Sequence, residues 1–187
     1  MPLSRERAKA PYADAEIAAY LALCDAQPTL ARRQRLGALI SLGAGAGLMG
    51  NELRYVRGSD VACRSGGVLV EVVGRRPRAV PILAPYHDRL SQAAAFAGDR
   101  YVIGGLDPAR GNVTDRLVRV ALATSDLPRL DTGRLRSTYL VAMAGTIGLR
   151  AFMDAAGLIC SQRLGDLIAS LSPPSEEEAV ALLGGRR

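Results

Sequence analysis

The sequence has no tryptophan, two phenylalanines, one histidine and a single lysine, Lys9. So few aromatic rings give little material for a platform that holds single-stranded nucleic acid by base stacking. The lone histidine, His87, cannot by itself form a His-based metal cluster, and any Ser-His or Cys-His nucleophilic pair would have to use it. Just after Pro85, it reads as a helix-end or surface residue. Three cysteines (Cys24, Cys63, Cys160) are odd in number and far apart, which fits neither a disulfide framework nor a CxxC metal site. Cys63 and Cys160 lack neighbours that would lower a thiol pKa, and read as small buried or half-buried residues. Neither a metal nor a cofactor is expected. Apolar runs fall short of the ~20 residues that cross a bilayer, and the start, Met1 to Arg7, has no signal-peptide core. A membrane is therefore not an expected partner.

What is present is 187 residues with 24 Lys+Arg against 18 Asp+Glu, a net charge of +6 and 49% hydrophobic residues. That length suits one domain, or one with a small appendage, and the apolar share argues against disorder. The expectation is a soluble, basic, globular protein of the cytoplasm. Nearly all the positive charge is arginine. One reading is the coding bias of a GC-rich genome on a solvated surface; the other is a polyanion partner, since guanidinium binds phosphate bidentately and stays charged. Composition alone leaves both open.

Residues 1–11 are polar and basic and read as a flexible arm. From Asp14, Ile17, Tyr20, Leu21 and Cys24 fall at helical spacing. Gln27-Pro28-Thr29 interrupts the pattern, and Thr29 is placed to cap a second helix in which Leu36, Leu39, Ile40 and Gly43 repeat it. A short helical turn follows over 51–56. Val68 to Val73 and Ala79 to Leu83 are β-rich runs around Gly74-Arg75-Arg76-Pro77-Arg78, which predicts a β-hairpin. Pro81 has no N–H to give, so its strand belongs on an edge. Helices are predicted over 86–96, 114–123, 132–144, 149–156 and 161–171. Ser172-Pro173-Pro174-Ser175 breaks the chain, and Ser175 with Glu178 has capping-box spacing. The last helix, 176–183, is too short to stand alone, so Val180, Leu182 and Leu183 need a surface to pack on. The fold class is mainly α with a small antiparallel β-hairpin or sheet (α+β), organised as an arm 1–11, a domain 12–171 and a tail 172–187.

Gly45-Ala46-Gly47-Leu48-Met49-Gly50 matches G-x-G-x-x-G, but a dinucleotide site needs a strand before it and an acidic residue about 20 positions on. The preceding residues have helical spacing and Asp60 comes too early, so these glycines read as permitting close helix packing. The arginine-rich turn is more informative. Three guanidinium groups on a hairpin tip concentrate charge on a projection able to approach a phosphate backbone; the plain alternative is solvated gatekeeper charge beside an edge strand. With Arg134 and Arg136, and with Arg32, Arg33 and Arg35, the balance favours nucleic-acid contact.

Four segments in order carry a family resemblance. They are Gly47-Leu48-Met49-Gly50-Asn51-Glu52-Leu53 with Arg57 to Asp60, the Gly74 to Pro81 hairpin, Gly133-Arg134-Leu135-Arg136-Ser137-Thr138, and Ala155-Ala156-Gly157-Leu158. Over roughly 12–171 the chain resembles the catalytic domain of tyrosine recombinases, the phage integrase family. The resemblance implies that fold and duplex DNA as partner. It also implies a chemistry in which a tyrosine attacks the scissile phosphate while two arginines, a hairpin lysine and histidines assist. Here the first arginine position is Met49, the lysine position Arg75, the histidine positions Gly133 and Leu158, and the nucleophile position Leu167; only Arg136 matches. Met49 offers no charge to a phosphorane, leucine cannot form a covalent phosphoester, and arginine is a poor general acid near neutral pH.

The sequence therefore predicts a catalytically inactive, recombinase-like protein of bacterial cytoplasm, associated with the nucleoid. It would bind double-stranded DNA through Arg75, Arg76, Arg78, Arg134 and Arg136, with a structural or regulatory role. The family's separate core-binding domain is not recognisable in this sequence. The terminal helix is expected to dock on a partner protein, on a second copy, or in cis. The alternative is a protein-interaction scaffold that has lost DNA binding. An enzyme using other residues ranks third, for want of a compact metal, Cys/His or carboxylate constellation.

Overall fold

The structure is a computed structural model describing residues 9–64, 66–74, 77–104, 111–123 and 125–146. The predicted helices over 149–156, 161–171 and 176–183, the tail 172–187 and Cys160 lie outside these residues. Within them the order is α1 (Asp14–Asp25), α2 (Leu30–Ala46), α3 (Asn51–Tyr55), β1 (Val61–Arg64), β2 (Gly67–Val72), β3 (Arg78–Pro81), α4 (His87–Ala97), α5 (Val113–Leu122) and α6 (Thr132–Thr146).

α2 is the centre of the molecule. Thr29 accepts a hydrogen bond from the Arg32 N–H and caps it, as its sequence predicts. From Leu36 to Ala46 every residue is buried, because α1, α4, α5 and α6 all pack on it. A helix enclosed on all sides needs small residues wherever a neighbour comes close. A Cβ on Gly43 would lie 2.7 Å from Leu135 Cδ1 of α6. Gly47 ends the helix at φ 66° and sends its N–H to the Gly43 carbonyl, a left-handed termination that glycine adopts freely. There a Cβ would stand 2.3 Å from Tyr139 Cδ1. These glycines therefore serve helix packing, in a segment with no strand before it.

The sheet has the order β1-β2-β3, antiparallel throughout, with Val70 opposite Val61 on one side and Val80 on the other. Val68, Val70, Val72 and Val80 turn into the core, the alternation a half-covered sheet requires. β3 is an edge strand and contains Pro81, as predicted. β1 was not expected: Val61-Ala62-Cys63-Arg64 is strand only through its ladder to β2. His87 opens α4, and its Nε2 lies 2.8 Å from the Ile82 carbonyl, so that nitrogen carries the hydrogen and ties the end of the sheet to the helix.

Residues 1–8 of the expected arm lie outside the described residues; its last three, 9–11, and the start of the domain contact α6. Lys9 Nζ sits 2.6 Å from Asp131 Oδ2. Arg134 donates to the carbonyls of Ala10 and Pro11, pairs with Glu16 at 2.9 Å and lies over the Tyr12 ring, 3.8 Å from its centroid. The Tyr12 N–H donates to Thr138 Oγ1, and the Asp131 N–H donates to the Tyr12 hydroxyl. Residues 9–16 are thereby fastened to the start of α6. Gln27, 5% exposed, donates from Nε2 to the Ala121 carbonyl and joins the end of α1 to α5.

Two measurements test this architecture. Gly47→Ala suffers left-handed strain of about 1–2 kcal/mol plus overpacking against Tyr139 of roughly 1–3 kcal/mol. Gly111, with no positive φ and nothing within 4 Å of its Cβ position, meets neither penalty. Urea melts should rank Gly47→Ala well below Gly111→Ala; equal midpoints would contradict the packing. Acid should also destabilise the fold. The Glu16 carboxyl is held below its usual 4.5 by the Ala13 N–H and by Arg134, against a smaller opposing effect of burial, and Asp25 below 3.8 by Arg89. At Asp131 burial pushes the other way but is outweighed by Lys9 and the N–H groups of Arg134 and Gly133. Lowered folded-state values mean stability that is complete above the ordinary values and lost as pH falls through the folded ones. The melting temperature should therefore drop mainly below about pH 4.

Candidate nucleic-acid interface

The turn that ends α2 meets β3 and α6 at one place. α6 presents Leu135, Tyr139 and Met143 inward at spacings of four, which leaves Arg136 at the side of this buried stripe. Its guanidinium donates from Nη1 to the Gly47 carbonyl, fixing the head of the side chain beside the Gly47–Met49 loop. Met49 is 44% exposed on that loop, whereas Leu48 next to it is fully buried. From β3, Arg78 pairs with Glu52 of α3 at 2.6 Å, its own side chain only 12% exposed.

Tyr139 lies beneath this cluster with no surface exposed and no hydrogen-bond partner for its hydroxyl among the described residues. Burial raises its pKa, while the charges of Arg78 and Arg136 pull it down. The phenol is thus a neutral group under two cations. An unsatisfied buried hydroxyl costs about 1–3 kcal/mol, and here it accompanies close packing of the ring on Gly47.

The sequence-predicted arginines separate. Arg136 and Arg78 come together at Tyr139. Arg134 does not join them: two positions apart on a helix means roughly 200° around the axis, so Arg134 faces α1 and is engaged by Glu16, Tyr12 and two carbonyls. Arg75 and Arg76 lie outside the described residues, as do Leu158 and Leu167. Arg32 and Arg35 stand at the far end of α2, about 18 Å or more from Gly47 by helix rise.

Sequence reading assigned no role to Lys9, which ends at the start of α6. Asp131 caps that helix, its Oδ1 accepting the N–H groups of Gly133 and Arg134. The Lys9 chain then covers Gly133 so closely that a Cβ there would be 3.1 Å from Lys9 Cδ. Lys9 is an isolated lysine in an unpatterned segment, and no periodicity points to it. Glu52 was part of a motif, but its pairing with Arg78 depends on tertiary placement.

Cys24 is buried and bonded to the Arg33 carbonyl, its thiol pushed up by burial; Cys63, expected to be buried or half-buried, is instead exposed beside Ser91 at the margin of the sheet. Among the described residues no group of three or more His, Cys, Asp or Glu side chains is placed to hold a metal ion. No helix among them is long and apolar enough to cross a membrane.

No protein-family model matches the sequence, and no curated protein matches it. Solved structures do match in shape. XerA recombinase superposes with a TM-score of 0.65 at 14% identity, over 100% of this chain and 68% of its own. XerH site-specific recombinase, bound to palindromic difH substrate in a post-cleavage complex, gives 0.69 at 15% identity, over 94% and 54%. The Tn1549 transposon integrase in complex with circular intermediate DNA gives 0.54 at 16%, over 94% and 64%. The chain thus spans between about half and two thirds of the length of these proteins. Mainly helical, with a small three-stranded antiparallel sheet and Arg136 at the turn after its central helix, the chain has a tyrosine-recombinase-like fold.

Proposed function

We propose that this protein binds duplex DNA as a catalytically inactive relative of the recombinases and acts structurally or as a regulator, in the bacterial cytoplasm with the nucleoid. The observation that carries this reading is Arg136, anchored on the Gly47 carbonyl and flanked by uncharged Met49. A cation fixed by the backbone is preorganised to receive a phosphate oxygen. The loop beside it offers a thioether where the family resemblance implies a second guanidinium. Gly133 similarly offers no side chain, and Leu167 stands at the implied nucleophile position. Binding without cleavage is what such a surface supports. Arg136 and the hairpin arginines Arg75 and Arg76 are assigned to phosphates, with Arg78 adding charge next to Tyr139. Arg134 belongs to the fold.

Two relatives in shape, the XerH recombinase and the Tn1549 integrase, were captured on DNA, which favours this partner. One observation favours the rival scaffold reading: Arg78 and Arg134 are already neutralised by Glu52 and Glu16.

A fluorescence titration with a duplex at several salt concentrations separates the two. DNA binding predicts affinity that falls steeply with salt, and a log-log slope smaller by roughly two units in Arg75→Ala/Arg76→Ala, since each phosphate contact contributes about 0.9. Absence of binding at low salt leaves the scaffold. Inactivity is checked separately with nicked duplex substrates in denaturing gels: the expected result is DNA free of covalently attached protein, and an adduct would show that another residue has become the nucleophile.

A further inference from the structure

The opposite end of α2 carries a second basic feature that the DNA reading does not use. Arg32 and Arg35 of α2 and Arg116 of α5 rim a groove of about 350 Å³, in the range of sites that take compact ligands. Its floor is apolar, formed by Ile103, Val113 and Leu117.

Three observations distinguish it from an ordinary charged surface. First, none of the three guanidinium groups makes a side-chain hydrogen bond or ion pair among the described residues, whereas Arg78, Arg89, Arg129 and Arg134 each hold a carboxylate. Second, the Arg35 side chain rests on bare backbone. Gly104 sits at φ 89°, and a Cβ there would be 2.6 Å from Arg35 Nε, so a side chain at that position would displace the guanidinium. Third, the first turn of α2 contains no acidic residue although Arg32 and Arg33 lie in it, where the helix dipole disfavours cations. An arrangement that is locally unfavourable in the free protein improves when an anion arrives.

The floor decides the kind of anion. A DNA duplex is too broad to enter a groove of this size, and aliphatic walls offer nothing to a phosphodiester. A bare inorganic anion would leave the same walls uncovered. Carboxylates alternating with aliphatic side chains satisfy both parts, with charge on the rim and apolar groups over Val113, Leu117 and the neighbouring Val120, itself 37% exposed. We propose that this groove is a docking site for an acidic segment of a partner protein that carries leucine-like side chains between its carboxylates. The proposal is independent of DNA binding at the other end of α2.

The probe is a fluorescein-labelled synthetic peptide built from Glu-Glu-Leu repeats, titrated with the full chain and read by anisotropy. Binding should weaken at least tenfold in Arg32→Glu/Arg35→Glu. Position 32 lies in the first turn of α2, where glutamate is better suited than arginine, and a melting temperature within a few degrees of the parent separates lost docking from lost folding. Affinity for duplex should stay within about twofold, so failure of one reading leaves the other standing. Four results would overturn the proposal: no binding of the probe, equal binding by the charge-reversed protein, equal binding of a Gln-Gln-Leu peptide, or equal binding of a Glu-Glu-Ser peptide. The last would indicate a simple anion site.

Discussion

The last turn of α2 is where the structure has least freedom. Gly47 must be left-handed to end the helix, must lack a side chain to admit Tyr139, and must turn its carbonyl toward Arg136. Each requirement restricts the others. Tyr139 fixes the depth of α6 against α2. That depth fixes the height of Arg136, and the carbonyl then fixes where its guanidinium ends. The candidate DNA contact is therefore positioned by core packing and not by a flexible surface loop. Its direction is inherited from a helix with no exposed face along most of its length.

The arginines fall into groups that composition could not distinguish. Arg134 and Arg89 hold elements together, with carboxylate partners and, for Arg134, an aromatic ring beneath. Arg136 is oriented by the Gly47 carbonyl. Arg32, Arg35 and Arg116 face a concavity whose described lining contains no carboxylate. What separates these groups is the nearest acceptor, a property of the folded chain. Net charge of +6 records their sum and none of the differences among them.

Much of the fold was legible in the sequence because helices with a continuous apolar face announce themselves. α1, α2, α4, α5 and α6 follow their 3.6-residue patterns to within a residue or two, and Thr29 caps where its chemistry predicts. The β2–β3 hairpin was equally plain from its valines and the arginine-rich turn. β1 was hidden, since four residues without alternation become a strand only when β2 supplies a ladder. At the site, grouping Arg134 with Arg136 took closeness in sequence for closeness in space; helical geometry alone separates the two side chains. Lys9 left no trace that pattern reading can use, because its position depends on Asp131, more than a hundred residues away. The contacts of residues 9–12 with α6 were hidden for the same reason: Tyr12 and Arg134 find one another only after folding.

The margin of the sheet has a consequence of its own. β3 is one of the two edge strands, and Pro81 interrupts its row of donors next to the point where the chain turns back toward α4. An incoming strand from another molecule would meet a missing N–H there and could not complete a regular ladder. Association through continuous β-pairing along that border is thereby discouraged.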